Sequence, residues 1–215
     1  MARAVLLLHS SAGLYGADVQ LLAIARGLDP ERWRPVCVLP ERGPLAPLLE
    51  QAGAEVVVHP LAVLRRSLAT AAGAVRMARA TAADQRVLGA LARDHGVRVV
   101  HDNTSVILGG ARVARAAGAA HVVHVRESWT GGRRGERALW PLMRRRLLRA
   151  DALVGISRSV CDQFPPGAAV LLRDGLPREP VPVDRERARA ELGLPPDRFV
   201  VAVVGRVHPW KGQDV

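Results

Sequence analysis

Polar side chains that could take part in chemistry collect at the ends of short apolar runs in this sequence. Four of the seven histidines lie at or next to such an end, namely His9, His59, His101 and His124. Histidine transfers protons near neutral pH, and the neighbouring hydroxyl, amide and carboxylate groups bind polar ligands through hydrogen bonds. One histidine in such a place is usually structural. The joint placement of four predicts a cleft for a polar ligand.

The apolar runs alternate with longer amphipathic stretches, which is the pattern of strand–helix–strand units in a parallel sheet. We therefore predict an α/β fold, a Rossmann-like parallel sheet with helices on both faces. The predicted strands are Ala4–Leu8, Pro35–Leu39, Glu55–Val58, Arg98–His101, His121–Val125 and Leu153–Ile156. The predicted helices are Ala17–Leu28, Pro44–Ala52, Asp84–His95, Val106–Ala117, Glu136–Arg149 and Arg158–Phe164, with a further helical stretch within Leu61–Ala83.

Ligands of an open parallel sheet bind beyond the carboxyl ends of its strands. The side chains expected there are His9, His101, Asp102, Asn103, Thr104, Arg126, Glu127 and Ser157. The loop after the first strand adds Gly13, Tyr15 and Gly16, and its glycines allow close backbone approach to a phosphate. His101 and Asp102 lack a third ligand at metal-binding spacing, so we predict no metal. Hydrolase chemistry has little support, because no G-x-S-x-G motif is present.

The composition changes at residue 173, where glycine and proline become frequent and disfavour regular structure. We predict an N-terminal domain over residues 1–172, a linker over 173–184 and the incomplete start of a second α/β domain over 185–215. The predicted elements of that second part are a helix, Arg185–Leu192, and a strand, Phe199–Val204.

The formal net charge of +11 comes from an excess of arginine. The densest group of basic residues lies on and before one predicted helix: Arg133, Arg134, Arg137, Arg144, Arg145, Arg146 and Arg149. This arginine cluster suits an anionic membrane surface, and a merely solvated helix in an arginine-rich protein is the alternative. Nucleic-acid binding is disfavoured, because aromatic residues make up only 3% of the chain and no nucleic-acid-binding motif is present.

The cysteines and the first apolar run indicate the compartment. Cys37 and Cys161 are distant in sequence and lack metal-ligand spacing, so neither a disulfide framework nor a zinc site is expected. The run Ala4–Leu8 is too short for the core of a signal peptide or a spanning helix. We expect a cytoplasmic protein that associates peripherally with the inner face of the membrane if the arginine cluster binds lipid.

Several segments, in order and spacing, resemble the retaining GT-B glycosyltransferases of family 4. The segments that carry this resemblance are Gly16–Leu28, His101–Ser105, His124–Glu127, Ala150–Val160 and Val203–Gly212. The last contains Gly205-Arg206 and Lys211-Gly212, which resemble the family's G-R-x-x-x-x-K-G signature. One departure is Gly16-Ala17-Asp18, where the family commonly has paired glycines followed by a Glu.

The resemblance implies a transferase that moves a sugar from a nucleotide-sugar donor, its co-substrate, with no other cofactor and no metal. Arg206 and Lys211 would hold the donor diphosphate, with Gly13, Tyr15 and Gly16 as further donor-binding residues. His124 would face the reacting sugar as the catalytic residue, with His101 as the weaker candidate. The polar cleft would then bind the acceptor, which is a lipid-linked glycan, a polysaccharide or a small metabolite.

The resemblance covers the N-terminal domain and the first strand of the donor domain, and the family's Glu-x₇-Glu signature has no counterpart in these residues. We therefore expect a truncated chain that is inactive by itself. The alternative is a non-catalytic acceptor-binding module, or one half of a split glycosyltransferase whose donor half is encoded separately.

Overall fold

The structure is a computed structural model, and it describes residues 2–65, 70–131, 134–176, 179–205, 207 and 213. The chain divides into two compact units, Met1–Pro177 and Arg178–Val215. Four residues named from the sequence, Arg133, Arg206, Lys211 and Gly212, lie outside the described residues.

The described residues of the first unit form a seven-stranded sheet in which every pair of neighbours is parallel. Its strands are β1 Arg3–Leu8, β2 Trp33–Leu39, β3 Glu55–Val58, β4 Val97–Asp102, β5 Ala120–Val125, β6 Ala152–Gly155 and β7 Val170–Leu171. The order across the sheet is β3-β2-β1-β4-β5-β6-β7. The α/β, Rossmann-like fold predicted from the sequence is confirmed.

Helices connect the strands. Their bounds are α1 Gly16–Gly27, α2 Leu45–Gln51, α3 Ala71–Asp94, α4 Gly110–Ala117, α5 Arg134–Leu147, α6 Arg158–Cys161 and, in the second unit, α7 Arg185–Glu191. The local chemistry sets several of these ends. The Thr70 side chain accepts a hydrogen bond from Gly73 N at the start of α3, and Gly118 ends α4 in the left-handed conformation at φ 65°.

Both faces of the sheet are buried, as continuous apolar strands require. On one face, Leu6 and Leu8 of β1 pack with Leu88 of α3 and Val113 of α4. On the other face, the alternate residues Val5 and Leu7 pack in a second cluster, whose helical members are Leu21, Leu22 and Ala25 of α1 and Leu45, Ala46 and Leu49 of α2. Each fully buried leucine contributes about 2 kcal/mol relative to exposure. These two layers hold the carboxyl ends of β1 and β4 in place.

A few elements of the structure differ from those predicted from the sequence. One continuous helix, α3, replaces the two predicted stretches that met at Asp84. The chain at 61–65 is not helical, because Val63 forms an antiparallel bridge with Ile107, and the same pairing delays the start of α4 until Gly110. Strand β7 was not predicted.

The predicted strand Phe199–Val204 was wrong. None of these residues is in a strand, and the side chains of Phe199 and Val204 are 93% and 96% exposed. A strand needs a neighbour to pair its backbone groups. The described residues of the second unit contain one helix, α7, and no strand.

Candidate functional site

The strand order places a crevice between β1 and β4. These two strands are neighbours, but the chain leaves β1 towards β2 and later leaves β4 towards β5, on the opposite side. The two connections therefore diverge at the carboxyl edge of the sheet, and this switch point is where open α/β sheets bind ligands. The residues that follow β1, β4 and β5 form the candidate site.

The loop after β1 is built around a buried pair, His9 and Asp18. His9 Nε2 lies 2.6 Å from Asp18 Oδ1, and both side chains are almost fully buried. The Ser11 hydroxyl also donates to Oδ1, and the backbone N–H of Tyr15 donates to Oδ2 at 2.7 Å. Burial tends to raise the pKa of Asp18, but these hydrogen bonds outweigh it and lower the pKa below its usual value. Asp18 is therefore a buried carboxylate that fixes the loop at the start of α1.

The two glycines of this loop differ in their surroundings. A Cβ on Gly13 would lie 3.1 Å from Asp18 Oδ2, so the loop passes close to that carboxylate. A Cβ on Gly16 would meet nothing within 4 Å. The Tyr15 residue between them is 60% exposed. The exposed part of this loop is thus its tip, at the N-terminus of α1, where backbone N–H groups favour an anion.

Asn103 links the loop after β1 to Arg126, the residue that follows β5. Its backbone N–H donates to Leu8 O at 3.0 Å, and its Nδ2 donates to Ala17 O at 3.0 Å and to His9 Nδ1 at 3.1 Å. Its Oδ1 accepts from Arg126 Nη2 at 3.2 Å. Because an amide nitrogen donates only, His9 Nδ1 accepts, and the hydrogen on the neutral His9 ring is on Nε2. Asn103 is the centre of a continuous network across β1, β4 and β5.

His101 and His124 lie side by side on one face of the sheet. Their ring centroids are 5.7 Å apart, and the ring planes differ by 28°. Burial, and then the charges of His124, Arg126 and His121, lower the pKa of His101 to about 3. Burial, and then the charge of Arg126, lower the pKa of His124 to about 4. Both rings are therefore uncharged at neutral pH. His124 Nε2 is buried and finds no hydrogen-bond partner among the described residues.

Arg126 fastens a later segment, the residues 172–176 that follow β7, to this edge. Its Nη1 lies 2.6 Å from both carboxylate oxygens of Asp174. The neighbouring Gly175 O accepts from Gln20 Nε2 of α1 at 2.7 Å, and Leu172 N donates to Gly155 O at 3.0 Å. The end of the first unit is therefore held against the candidate site.

Glu127 and Thr104 have contrasting surroundings. Glu127 Oε2 accepts from the Ser105 hydroxyl at 2.5 Å and from the backbone N–H groups of Ser105 and Arg126 at 3.2 and 3.1 Å. Glu127 thus joins the loops after β4 and β5. The Thr104 side chain is also buried, but its hydroxyl has no partner among the described residues. The Thr104 hydroxyl is one of the few unsatisfied polar groups near this edge.

Asp102 lies on the opposite face of the sheet from His101, because successive strand residues alternate. Its side chain is fully buried, Oδ2 lies 3.0 Å from His121 Nε2, and a Cβ on Gly110 would collide with its carboxylate. Burial raises the pKa of Asp102, although its contact with His121 acts in the other direction. The structure therefore places Asp102 beneath the N-terminus of α4, away from the other predicted site residues.

Ser157 follows β6 at the same edge, two strands from β4. Its hydroxyl accepts from Val160 N at 3.2 Å and caps α6. Within the described ranges, no group of three or more His, Cys, Asp or Glu side chains is arranged to hold a metal ion.

A cavity of about 380 Å³ opens at the carboxyl ends of β1, β2 and β3. It is lined by Ser10, Ser11, Pro40, Glu41, Pro60, Leu61 and Arg65. Sequence reasoning missed this cavity, because its residues come from three separate loops. It also missed Asp18 and Asp174. An acidic residue in the first turn of a helix is a signal that could have found Asp18, whereas Asp174 has no local signal.

The chain belongs to the glycosyl transferase 4-like domain family, which it matches over residues 15–166. This match confirms the resemblance drawn from the sequence. The relatives include D-inositol 3-phosphate glycosyltransferase of Nocardia farcinica, which is 48% identical over 63 residues, 29% of this chain and 12% of that protein. The same-named protein of Segniliparus rotundus is 59% identical over 34 residues, 16% of this chain and 8% of that protein.

Solved GT-B structures share the fold. The crystal structure of Anabaena Alr3699/HepE in complex with UDP and glucose matches 99% of this chain with a TM-score of 0.67 at 22% identity. That of Arabidopsis thaliana UGT89C1 with UDP matches 92% with a TM-score of 0.54 at 12% identity. In each case this chain spans 56% of the matched chain, a little over half its length.

Proposed function

We propose that this chain is the acceptor-side half of a glycosyltransferase that moves a sugar from a nucleotide-sugar donor to an acceptor, and that His124 contacts the transferred sugar. The observation that carries the proposal is the buried, unpartnered Nε2 of His124 at the carboxyl end of β5, in a chain of this family. A buried polar group without a partner costs free energy, and a ligand oxygen would satisfy it.

The donor and acceptor have separate places in this proposal. The nucleotide diphosphate contacts the tip of the loop after β1, at Gly13, Tyr15 and Gly16, and is neutralised by Arg206 and Lys211. The acceptor enters from the same edge, past Thr104, whose hydroxyl lacks a partner among the described residues. The chemistry needs no metal and no other cofactor, because the two cations offset the charge of the departing nucleotide. The acceptor is a lipid-linked glycan, a polysaccharide or a small metabolite.

The test is a transfer assay on a polypeptide that carries both halves of the GT-B fold, compared with the 215-residue chain alone. UDP-, GDP- and ADP-sugars would be incubated with a panel of lipid and sugar acceptors, and products read by mass spectrometry. We expect hexose transfer by the two-half polypeptide with at least one donor. We expect none by the 215-residue chain, because Phe199–Val204 forms no strand and the described residues of the second unit form no sheet. Acceptor binding without transfer by the two-half polypeptide would support a binding module instead.

We further propose that helix α5 makes a peripheral contact with an anionic membrane surface on the cytoplasmic side. Arg137, Arg145 and Arg149 are exposed, and so is Leu142, at 68%. Arg145 and Arg149 follow Leu142 by three and seven residues, a spacing that puts arginine and an exposed leucine on one side of a helix, and this combination fits a lipid interface. Arg146 does not belong to this surface, because its guanidinium turns inward. Arg146 Nη1 donates to Ser105 O at 3.3 Å, and Nη2 donates to the carbonyl of Ile107. No helix among the described residues is long and apolar enough to cross a membrane.

Vesicle sedimentation tests this contact. Each basic residue near an anionic surface contributes about 1 kcal/mol, so Arg145→Gln with Arg149→Gln should weaken binding to anionic vesicles by roughly 30-fold. The matched control is Arg76→Gln with Arg79→Gln, which removes the same charge from the exposed side of α3. Equal binding to neutral and anionic vesicles, or equal loss in both double variants, would reject the contact.

A further inference from the structure

Every donor of the Arg126 side chain is used within the protein. A guanidinium carries five N–H hydrogens and has no acceptor. Nε donates to the backbone carbonyl of Asn103 at 3.0 Å, and Nη1 faces the two carboxylate oxygens of Asp174, both at 2.6 Å. Nη2 faces Asn103 Oδ1 at 3.2 Å and His124 Nδ1 at 3.4 Å. Five acceptors thus match five hydrogens, and the side chain is only 8% exposed.

The contact with Arg126 determines which nitrogen of the His124 ring carries the hydrogen. Because a guanidinium can only donate, His124 Nδ1 must accept in this contact. The single hydrogen of the neutral His124 ring is then on Nε2. That atom is buried and has no hydrogen-bond partner among the described residues. The ring therefore has one unused N–H donor, Nε2–H, while its accepting nitrogen is occupied.

We propose that Arg126 is a positioning residue, which fixes the tautomer of His124 so that the ring acts as a hydrogen-bond donor through Nε2–H and does not act as a proton acceptor. The ligand class that this donor suits is an oxygen with a free lone pair, such as a sugar hydroxyl. That choice of ligand rests on the proposed function, whereas the tautomer does not. Arg126 itself then contacts neither donor nor acceptor, although the sequence placed it among the cleft residues.

The charges around His124 favour the same state. Arg126, which follows β5, is the cation that contacts the ring, and His101 of β4, uncharged at neutral pH, stacks against it. Asp174 faces the far side of the guanidinium. Burial and the charge of Arg126 lower the pKa of His124 to about 4, so the ring stays neutral across the physiological range. Protonation would also place two cations in contact, which opposes proton uptake at Nδ1.

The direct test is long-range ¹⁵N–¹H correlation NMR of the ¹⁵N-histidine-labelled 215-residue chain, without nucleotide or sugar. His124→Gln identifies the signals of this ring. We expect the Nε2–H tautomer, with no protonation above about pH 5. The Nδ1–H tautomer, a rapid mixture of both, or titration at an ordinary histidine pKa would overturn the proposal. Because no substrate is present, this result is independent of the transfer assay.

Substitutions at Arg126 separate positioning from a merely structural role. In Arg126→Met, the donor and its charge are lost, so we expect a mixture of tautomers and a titration midpoint raised by about one pH unit or more. Arg126→Lys, which keeps the charge, should retain a low midpoint. The control is Asp174→Asn, which weakens the other side of the guanidinium and should leave the tautomer unchanged. An unchanged His124 spectrum in Arg126→Met would contradict the proposal. If Arg126→Met does not fold, the wild-type spectrum decides.

Discussion

Replacement of Asn103 by alanine should remove the centre of the network beneath the candidate site. The Asn103 side chain is fully buried and makes three hydrogen bonds, to His9 Nδ1, to Ala17 O and from Arg126. Each neutral bond contributes about 1 kcal/mol, and the bond from the charged guanidinium contributes somewhat more. We therefore expect Asn103→Ala to lower the free energy of unfolding by about 3 to 4 kcal/mol.

The adjacent residue provides a matched control. Thr104 is also buried, but its hydroxyl has no hydrogen-bond partner among the described residues. Thr104→Val keeps the shape of the side chain and removes only the unsatisfied hydroxyl, so its stability should be unchanged or slightly higher. If that hydroxyl serves a ligand, the same variant should lose acceptor binding while remaining folded.

Thermal unfolding followed by circular dichroism distinguishes the two variants. For a unit of this size, 3 to 4 kcal/mol corresponds to a fall in melting temperature of roughly 10 °C. Thr104→Val should melt within about 2 °C of the wild type. If Asn103→Ala melts together with Thr104→Val, the network does not hold the three strands together, and the hydrogen bonds read from the structure are not contributing to stability.

Two further effects are expected. Gly110→Ala should strongly destabilise the first unit, because the added Cβ would collide with the buried Asp102 carboxylate. Gly16→Ala should be tolerated, because a Cβ there meets nothing within 4 Å. The midpoints of urea unfolding of the two variants and the wild type measure this difference. The folded His101 and His124 titrate at a pKa of about 3 and 4, below the ordinary value. As the pH falls, the unfolded chain therefore takes up protons before the folded chain does, so the free energy of unfolding should fall from pH 7 to pH 5. This fall should be smaller in His124→Gln. A fall as large as that of the wild type would contradict the low pKa of His124.

The sheet could be predicted from the sequence because its central strands β1 and β2 are buried on both faces. Each of β1 to β6 contains at least two successive apolar residues, and such runs differ from the amphipathic helices. The long helix α3 was harder to read, because its weak pattern resembles two separate segments. Phe199–Val204 shows the limit of the same reasoning. Its apolar pattern is that of a strand, but a strand forms only where a neighbouring strand completes the backbone pairing.

The sequence predicted at which edge of the sheet the site lies, but not on which face of the sheet each side chain lies. The sequence shows that polar residues follow β4, yet His101 and Asp102 face opposite sides of the sheet, and only the alternation along the folded strand decides which side. The contact between Arg126 and Asp174 joins residues 48 positions apart, and no local pattern signals it. The role of Arg126 could not be read from its position alone, because the number of free donors depends on these distant acceptors.

The catalytic contribution of His124 is the most direct test of the account. Turnover would be measured for His124→Ala in a polypeptide that carries both halves of the fold, with His95→Ala as the matched control, because His95 lies at the opposite edge of the sheet, at the end of α3. Loss of one positioned group in a transition state typically costs 10²-fold or more. We expect kcat to fall by roughly 10²-fold in His124→Ala and to change little in His95→Ala. Near-normal turnover in His124→Ala would contradict the central claim and would transfer the role to His101.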